Sequence, residues 1–243
     1  MMIDLHSHIL PDVDDGARSL HASLEMARIA VEGGVSAMVA TPHCVDDRRW
    51  KICDAWKMLC EALEETEIPL RLLLGMEIFG TLDTASMLRD GELLTLNGSR
   101  YPLIEFSFRG DGDMETYILR SVLRAGFRPV VAHPERYAFI QHNPDLLNHW
   151  FHMGCLFQVN RGSLMGRFGG RAEMIGMELV ERNFATVIAS DTHAPGIRTP
   201  WMQDIRQMLT KMFSQRYANL LLEENPAHIL NDEELHLAEP EWF

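Results

Sequence analysis

Residues 3–8 of the chain read Ile3-Asp4-Leu5-His6-Ser7-His8, a short apolar run that ends in two histidines. Such a run is typical of a buried β-strand. A segment with helical spacing follows and stops at Gly33-Gly34, after which a second apolar run begins. The same alternation continues along the chain. The predicted strands span residues 3–5, 37–40, 70–74, 102–105, 129–132, 156–159 and 186–189.

The predicted helices lie between and after these strands, at about residues 20–31, 54–65, 83–90, 114–125, 144–153, 171–182 and 201–219. This regular alternation predicts an α/β fold with a largely parallel sheet. Because no Pro-, Gly- or Ser-rich linker divides the 243 residues, we expect a single domain over 1–243, built as a closed or nearly closed barrel of about seven strands. An open doubly wound sheet is the alternative. Residues 235–243 are acidic, contain Pro240 and are predicted to form a loose terminus.

The composition excludes several functions. The chain has 22 Lys and Arg against 35 Asp and Glu, a formal net charge of -13. A nucleic-acid binder needs clustered positive charge, so no nucleic-acid partner is expected. No apolar run approaches the roughly 20 residues of a membrane-spanning helix. The first residues also lack the basic and apolar regions of a signal peptide. We therefore expect a cytoplasmic protein without membrane insertion.

Cysteine chemistry is one alternative that the sequence raises. Cys155 and Arg161 have the C-x5-R spacing of cysteine-dependent phosphatases. That chemistry needs a loop whose free backbone N–H groups hold the phosphate, but residues 156–160 alternate like a strand and contain no glycine. Their amides are expected to bond within a sheet. We therefore predict a buried strand cysteine, and reduced thiols at all four cysteines.

Histidine and carboxylate side chains gather at the predicted strand ends. In a parallel barrel these ends share one face, where active sites are built. Taken singly, each residue has an ordinary explanation, such as a helix cap, an ion pair or a turn. Their joint occurrence at six of seven strand ends favours a common site. Five imidazoles and three carboxylates exceed the ligand number of one zinc ion and predict two or three divalent ions, with Mn, Fe or Zn suited to them. The candidate ligands are His6, His8, His43, Glu77, Glu105, His133, Asp191 and His193.

Two segments are distinctive, His133-Pro134-Glu135-Arg136-Tyr137 and Ser190-Asp191-Thr192-His193. Further characteristic segments are residues 4–11, 14–16, 41–43, 77–78, 100–107, 154–155, 158–160 and 225–226. Together they are spread over nearly the whole chain. In these segments the sequence resembles the polymerase and histidinol phosphatase (PHP) superfamily, and more narrowly its bacterial tyrosine-phosphatase branch, encoded with capsule and exopolysaccharide genes.

This resemblance implies a distorted (β/α)7 TIM-like barrel with a trinuclear metal centre, often manganese. It implies hydrolysis of phosphotyrosine on the tail of an autophosphorylating kinase that controls polysaccharide export. The same eight residues match the family's ligands, and Arg136 and Arg198 match arginines at the mouth of its site. One departure concerns the segment after the second strand, where Cys44-Val45-Asp46-Asp47 replace basic residues. The contacts to a peptide substrate therefore stay open.

The expected chemistry is attack on phosphorus by a water molecule that the metal ions activate. Arg136 and Arg198 are expected to hold the phosphate oxygens as catalytic residues. Asp14 and Asp15 follow the first strand, and we expect them to orient a ligand histidine. Proton donation, most simply by Asp15, is the alternative role.

Three other functions were weighed. The first is a phosphatase for a small metabolite such as histidinol phosphate. The second, an amidohydrolase with a carbamylated lysine at a strand end, is excluded because none of Lys51, Lys57 and Lys211 lies at a predicted strand end. The third is a metal-bearing scaffold that binds a kinase tail without turnover, which retention of the complete ligand set disfavours.

Overall fold

A computed structural model describes residues 1–43 and 49–243. In these ranges eight strands form two parallel sheets. The first sheet has the order β1-β2-β3 and the second has the order β4-β5-β6-β7-β8. The strands are β1 (Met2–Ser7), β2 (Val35–Ala40), β3 (Arg71–Leu74), β4 (Glu77–Phe79), β5 (Leu103–Glu105), β6 (Val130–Ala132), β7 (Leu156–Asn160) and β8 (Ala185–Ala189).

Helices connect the strands and cover the sheets. Ser19 begins the first helix, since its side chain accepts a hydrogen bond from the Ala22 amide. Gly34, with φ of 87°, makes the turn from that helix into β2. The α-helices are α1 (Leu20–Glu32), α2 (Arg49–Glu65), α3 (Thr84–Arg89), α4 (Asp113–Arg124), α5 (Ala138–His142), α6 (Asp145–Met153), α7 (Arg161–Leu164), α8 (Gly170–Glu181), α9 (Gln203–Met212), α10 (Gln215–Asn219) and α11 (Asn225–Leu230). Within the described ranges, no helix combines the length and apolar character that crossing a bilayer requires.

The two sheets contact each other at the carboxyl ends of their strands. On one side, the Asp191 amide donates to the His6 carbonyl at 3.0 Å, and the His8 amide donates to the Thr192 carbonyl at 2.9 Å. On the other side, the Glu77 amide donates to the Pro42 carbonyl at 3.2 Å. These contacts bring residues from both sheets to one end of the fold.

The third predicted strand corresponds to β3, and a further short strand that the pattern does not predict, β4, follows it. The Gly75 amide still donates to Ala40 in β2, at 2.9 Å, but Glu77 then begins β4, which pairs with β5. A side chain at residue 75 would crowd Val39, because a Cβ there lies 3.0 Å from the valine methyl carbon. The chain therefore changes partners at this glycine, and Glu77 lies at the start of β4 and not at the end of the third strand.

The long helix predicted at 201–219 is wrong in its middle. Helix α9 ends at Met212, and Ser214 is extended, with φ of -169°. The Ser214 hydroxyl accepts a hydrogen bond from the Tyr217 amide at 3.1 Å and so begins a second helix, α10. Helical periodicity alone does not reveal this break, because the apolar spacing continues across it.

The prediction of a loose terminus at 235–243 is also wrong. The Trp242 ring stacks on His152 at 4.3 Å and meets Phe151 and Phe184 edge-on. Arg182 Nη1 donates to the Trp242 carbonyl at 2.7 Å. Two aromatic side chains at the end of the chain give this segment enough apolar area to pack against α6 and the turn that follows α8, although it carries acidic residues.

A small apolar core lies between the strands and α11, beneath their carboxyl ends. Seven of the eight described strands each contribute at least one buried side chain to it, and α11 contributes Ile229 and Leu230. In β1 the register slips by one residue between Asp4 and Ser7. Such a bulge re-aims side chains, so that Leu5 packs in this core while the adjacent His6 contacts Gln158.

Candidate metal centre

All eight candidate ligands come together at the carboxyl ends of the strands. Their nitrogen and oxygen atoms form overlapping groups in which every atom lies within 4.8 Å of the others. One further carboxylate, Asp15, joins one of the groups. The groups are His6/His8/Glu77, His6/His133/Asp191, His8/Asp15/His43, His8/Asp191/His193 and His43/Glu77/Glu105.

Glu77 occupies the middle of this arrangement and is 2% exposed. Its Oε2 lies 3.0 Å from His6 Nε2, 3.1 Å from His8 Nε2 and 3.5 Å from His43 Nδ1. Its Oε1 lies 2.9 Å from His133 Nε2. A carboxylate with both oxygens surrounded by imidazole nitrogens would help to hold divalent cations here.

Asp191 approaches the same histidines from the β8 side. Its Oδ1 lies 3.5 Å from both His6 Nε2 and His8 Nε2, and 3.6 Å from His193 Nδ1. The backbone of Asp191 has φ of 51°, and His133 and Arg198 also have positive φ values. Such conformations cost about 1–3 kcal/mol each in residues with a Cβ and concentrate at functional sites. The chain therefore tolerates local strain to present these side chains.

Asp14 and Asp15 have different environments. Asp14 Oδ2 lies 2.6 Å from His8 Nδ1 and accepts a hydrogen bond from the His43 amide at 2.9 Å. Asp15 is 64% exposed, with its Oδ1 3.4 Å from His193 Nε2. Orientation of a histidine, expected of either aspartate, therefore falls to Asp14, whereas Asp15 lies at the open side of the cluster.

The carboxylates and histidines of the cluster stabilise each other's charged forms. Burial opposes the charged form of every group, but the carboxylates outweigh it and raise the pKa of His6 and His8. In turn, the histidines outweigh burial and hold the pKa of Glu77 and Asp191 well below the usual range. The carboxylates are thus ionised and the imidazole protons are exchangeable for a cation. This thiolate-free donor set fits divalent Mn, Fe or Zn.

Arg136 and Arg198 lie at the mouth of the cluster, with side chains 18% and 25% exposed. Both reach Asp191, where Arg136 Nη1 lies 3.2 Å from Oδ2 and Arg198 Nη2 lies 2.5 Å from Oδ1. The Arg136 guanidinium also packs against two rings, 4.7 Å from the Phe108 centroid and 4.2 Å from that of Phe168. Sequence analysis identified the arginines but not the rings, which carry no motif signal of their own.

Two buried amides were also missed as parts of the site. Gln158 Oε1 lies 2.8 Å from His6 Nδ1, and Asn160 Nδ2 donates to Asp191 Oδ2 at 2.6 Å. Both side chains are fully buried. Polar residues at alternate positions of an otherwise apolar strand were the available signal, because buried polar groups need partners.

The cysteine alternative does not fit the geometry. Cys155 is fully buried immediately before β7, and burial raises the pKa of its thiol to about 12. Residues 156–160 form β7, so their amides are not free to hold phosphate. Arg161 donates through Nε to Asp204 at 2.8 Å instead of facing the thiol. Residues 44–48, where the sequence departs from the PHP pattern, lie outside the described ranges.

The comparisons with known proteins agree with this geometry. Residues 2–231 match the family model described as capsular polysaccharide synthesis, CpsB/CapC. The chain is 36% identical to tyrosine-protein phosphatase YwqE of Bacillus subtilis over 226 residues, which covers 91% of this chain and 89% of that protein. It is 33% identical to tyrosine-protein phosphatase CpsB of Streptococcus pneumoniae over 241 residues, covering 96% and 99%.

A solved structure is also similar over the whole chain. It comes from a study of YwqE from Bacillus subtilis and CpsB from Streptococcus pneumoniae, described as metal-dependent tyrosine phosphatases. The TM-score is 0.93 at 34% identity, and the match covers 100% of this chain and 99% of the other.

Proposed function

The chain belongs to the CpsB/CapC family of capsular polysaccharide synthesis, and from this premise we propose that it is a metal-dependent protein-tyrosine phosphatase, a phosphomonoester hydrolase. The observation that carries the proposal is the buried cluster around Glu77, in which ionised carboxylates and imidazole nitrogens converge within 4.8 Å. The relatives that match nearly the whole chain have this activity in their names.

The eight converging residues are proposed as the metal ligands. When bound, divalent ions supply positive charge for the phosphate oxygens and generate a nucleophile from water at neutral pH. We further propose that two or three ions bind, because the five donor groups extend from Glu105 to Asp15 and share only some of their members. The shared residues are His6, His8, His43, Glu77 and Asp191. Manganese is the proposed ion, with iron or zinc as alternatives.

The chain's own side chains bind and orient the substrate. Arg136 and Arg198, proposed as catalytic residues, offer planar N–H forks that match two phosphate oxygens. They also place positive charge at the site of a chain whose net charge of -13 repels an acidic phosphopeptide at long range. Asp14 holds His8 in place through its 2.6 Å contact with Nδ1.

Asp15 has a narrower role than a general acid. His193 is the main cause that lowers the pKa of Asp15, so its carboxylate is ionised at neutral pH and cannot donate a proton. A phenol leaves with a pKa of about 10, so a general acid is less necessary than for an alkyl ester. We propose that Asp15 acts at the cluster as a carboxylate, as an added ligand or a proton acceptor.

Broader features of the protein follow the same reasoning. We propose that residues 1–243 act as one catalytic domain whose two sheets form a distorted (β/α)7-type barrel, supported by the small core shared by seven strands. We propose a cytoplasmic protein whose substrate is the tyrosine-phosphorylated tail of an autophosphorylating kinase in polysaccharide export. Family membership supports that choice of substrate.

Phosphate release from three substrates tests the proposed function. Metal-loaded protein is supplied with a phosphotyrosine peptide, the matching phosphoserine peptide and histidinol phosphate. We expect the highest kcat/KM on the phosphotyrosine peptide. Preference for histidinol phosphate would favour the small-metabolite phosphatase instead. Peptide binding without phosphate release would favour a non-catalytic scaffold.

A further inference from the structure

An uninterrupted chain of two side-chain amides joins two candidate ligands of the metal centre, His6 and Asp191. His6 Nδ1 lies 2.8 Å from Gln158 Oε1, and Gln158 Nε2 donates to Asn160 Oδ1 at 2.7 Å. Asn160 Nδ2 then donates to Asp191 Oδ2 at 2.6 Å. All four residues are at most 1% exposed. In the low dielectric of such a site, each bond strengthens the next.

The charge of Asp191 fixes the direction of every bond in this chain. An ionised carboxylate only accepts, so Asn160 must turn its NH2 group toward Asp191 and its oxygen toward Gln158. Gln158 must then turn its NH2 group toward Asn160 and its oxygen toward His6. That oxygen requires a proton on His6 Nδ1, which leaves the Nε2 lone pair for a cation. The reverse orientation would set two acceptors 2.6 Å apart between Asn160 and Asp191.

The surrounding backbone holds both amides in place. Gln158 and Asn160 are two residues apart in β7, which is paired on both sides with β6 and β8. One carboxylate oxygen of Glu135 accepts two hydrogen bonds, from the backbone N–H of Asn160 at 3.0 Å and from the Ser163 hydroxyl at 2.6 Å. The hydrogen-bonded series His6–Gln158–Asn160–Asp191, called the relay below, is therefore held in place by the sheet.

We propose that Gln158 and Asn160 are positioning residues that link Asp191 to His6, fix the imidazole tautomer for metal binding and so make the two ligands act as a unit. The proposal deepens the proposed function, since it rests on His6 and Asp191 being metal ligands. Asn160 also shares Oδ2 of Asp191 with Arg136, which leaves Oδ1 facing the histidines.

A double-mutant cycle on metal affinity tests this proposal without any phosphatase assay. EDTA-treated wild type, Gln158→Met, Asn160→Leu and the double variant are titrated with Mn²⁺ by calorimetry. Partners that orient a ligand typically contribute 10- to 100-fold in metal affinity, and we expect each single variant to lose that much. One broken link already interrupts the relay. The double variant should therefore bind Mn²⁺ no more than about threefold less tightly than the single variant with the lower affinity.

Asn225→Leu is the matched control, because Asn225 is a buried asparagine that donates to the Thr186 carbonyl at 2.8 Å and touches no ligand. It should bind Mn²⁺ as wild type does. Where Asn160→Leu fails to fold by circular dichroism, Asn160→Ser removes the amide without added apolar volume. Unchanged affinity in the single variants, or losses that multiply in the double variant, would overturn the relay. Because no substrate is used, a failure to hydrolyse phosphotyrosine leaves the result of this cycle intact.

Discussion

Replacing Arg136 should remove the proposed phosphate-binding group and leave the donor cluster intact. Its guanidinium packs against the rings of Phe108 and Phe168. Its only described carboxylate contact is with Asp191 Oδ2, at 3.2 Å. Asn160 donates to that same oxygen at 2.6 Å, so Asp191 keeps a partner when Arg136 is absent.

The expected magnitude follows from the lost hydrogen bonds. A hydrogen bond to a charged group contributes about 1.5–3 kcal/mol. Since about 1.4 kcal/mol is a factor of ten, Arg136→Ala should lower kcat/KM on a phosphotyrosine peptide roughly 10- to 150-fold. Arg136→Lys should recover only part of this loss, because a point charge lacks the planar fork that matches two phosphate oxygens and stacks on aromatic rings.

Steady-state kinetics and elemental analysis of the same samples provide the assay. Arg120→Ala is the control, because Arg120 is an exposed arginine on α4. It should have wild-type kinetics. Metal content should match wild type in all variants. The reasoning is refuted if Arg136→Ala retains normal kcat/KM, or if its activity loss is explained entirely by lost metal.

Three further predictions concern the thiol, the terminus and pH. Because burial raises the pKa of Cys155 to about 12, Cys155→Ala and thiol alkylation should leave metal-loaded activity within about twofold; inactivation with metal still bound would argue against a metal-activated nucleophile. Trp242→Ala should lower the free energy of unfolding, measured in urea, by about 2 kcal/mol. The control Trp50→Ala, at a more exposed tryptophan, should lower it by less than about 0.5 kcal/mol, and equal losses would contradict packing of the terminus. In EDTA-treated protein the pKa of His8 is raised, so protonated His8 stabilises the folded state fully below about pH 6.5. This contribution is lost as the pH rises through the raised pKa. The Tm of the EDTA-treated protein should therefore fall from pH 6 to 9, while the Tm of the metal-loaded protein rises. A parallel rise in both forms would contradict the assignment of the cluster as a metal site.

The sequence allowed the clustering of the candidate ligands to be predicted because they lie at chain positions that parallel strands bring to one face. His6 and His8, for example, needed only the strand and its direction. Glu77 was expected in the right place for an imperfect reason, since it begins β4 and does not end the third strand. Its side chain still reaches the common site because β4 starts where β2 ends, at the Pro42 carbonyl.

The features that sequence reasoning missed depend on contacts between distant residues. The bond between His6 and Gln158 joins residues 152 positions apart, and no local period encodes it. Phe168 belongs to the site because its ring contacts the Arg136 guanidinium. Trp242 is packed because its ring contacts aromatic residues on α6 and near β8. Tertiary packing decides such cases, and composition or propensity cannot.

Metal-dependent phosphate release by the Glu77 cluster is the central claim, and one titration tests it most directly. EDTA-treated wild type and Glu77→Gln are titrated with Mn²⁺ while phosphate release from a phosphotyrosine peptide and bound metal per chain are measured together. We expect no activity without metal, full activity at two to three ions per chain, and loss of several orders of magnitude in Glu77→Gln with fewer ions bound. Full activity in metal-free wild type, or an active Glu77→Gln variant, would contradict the account.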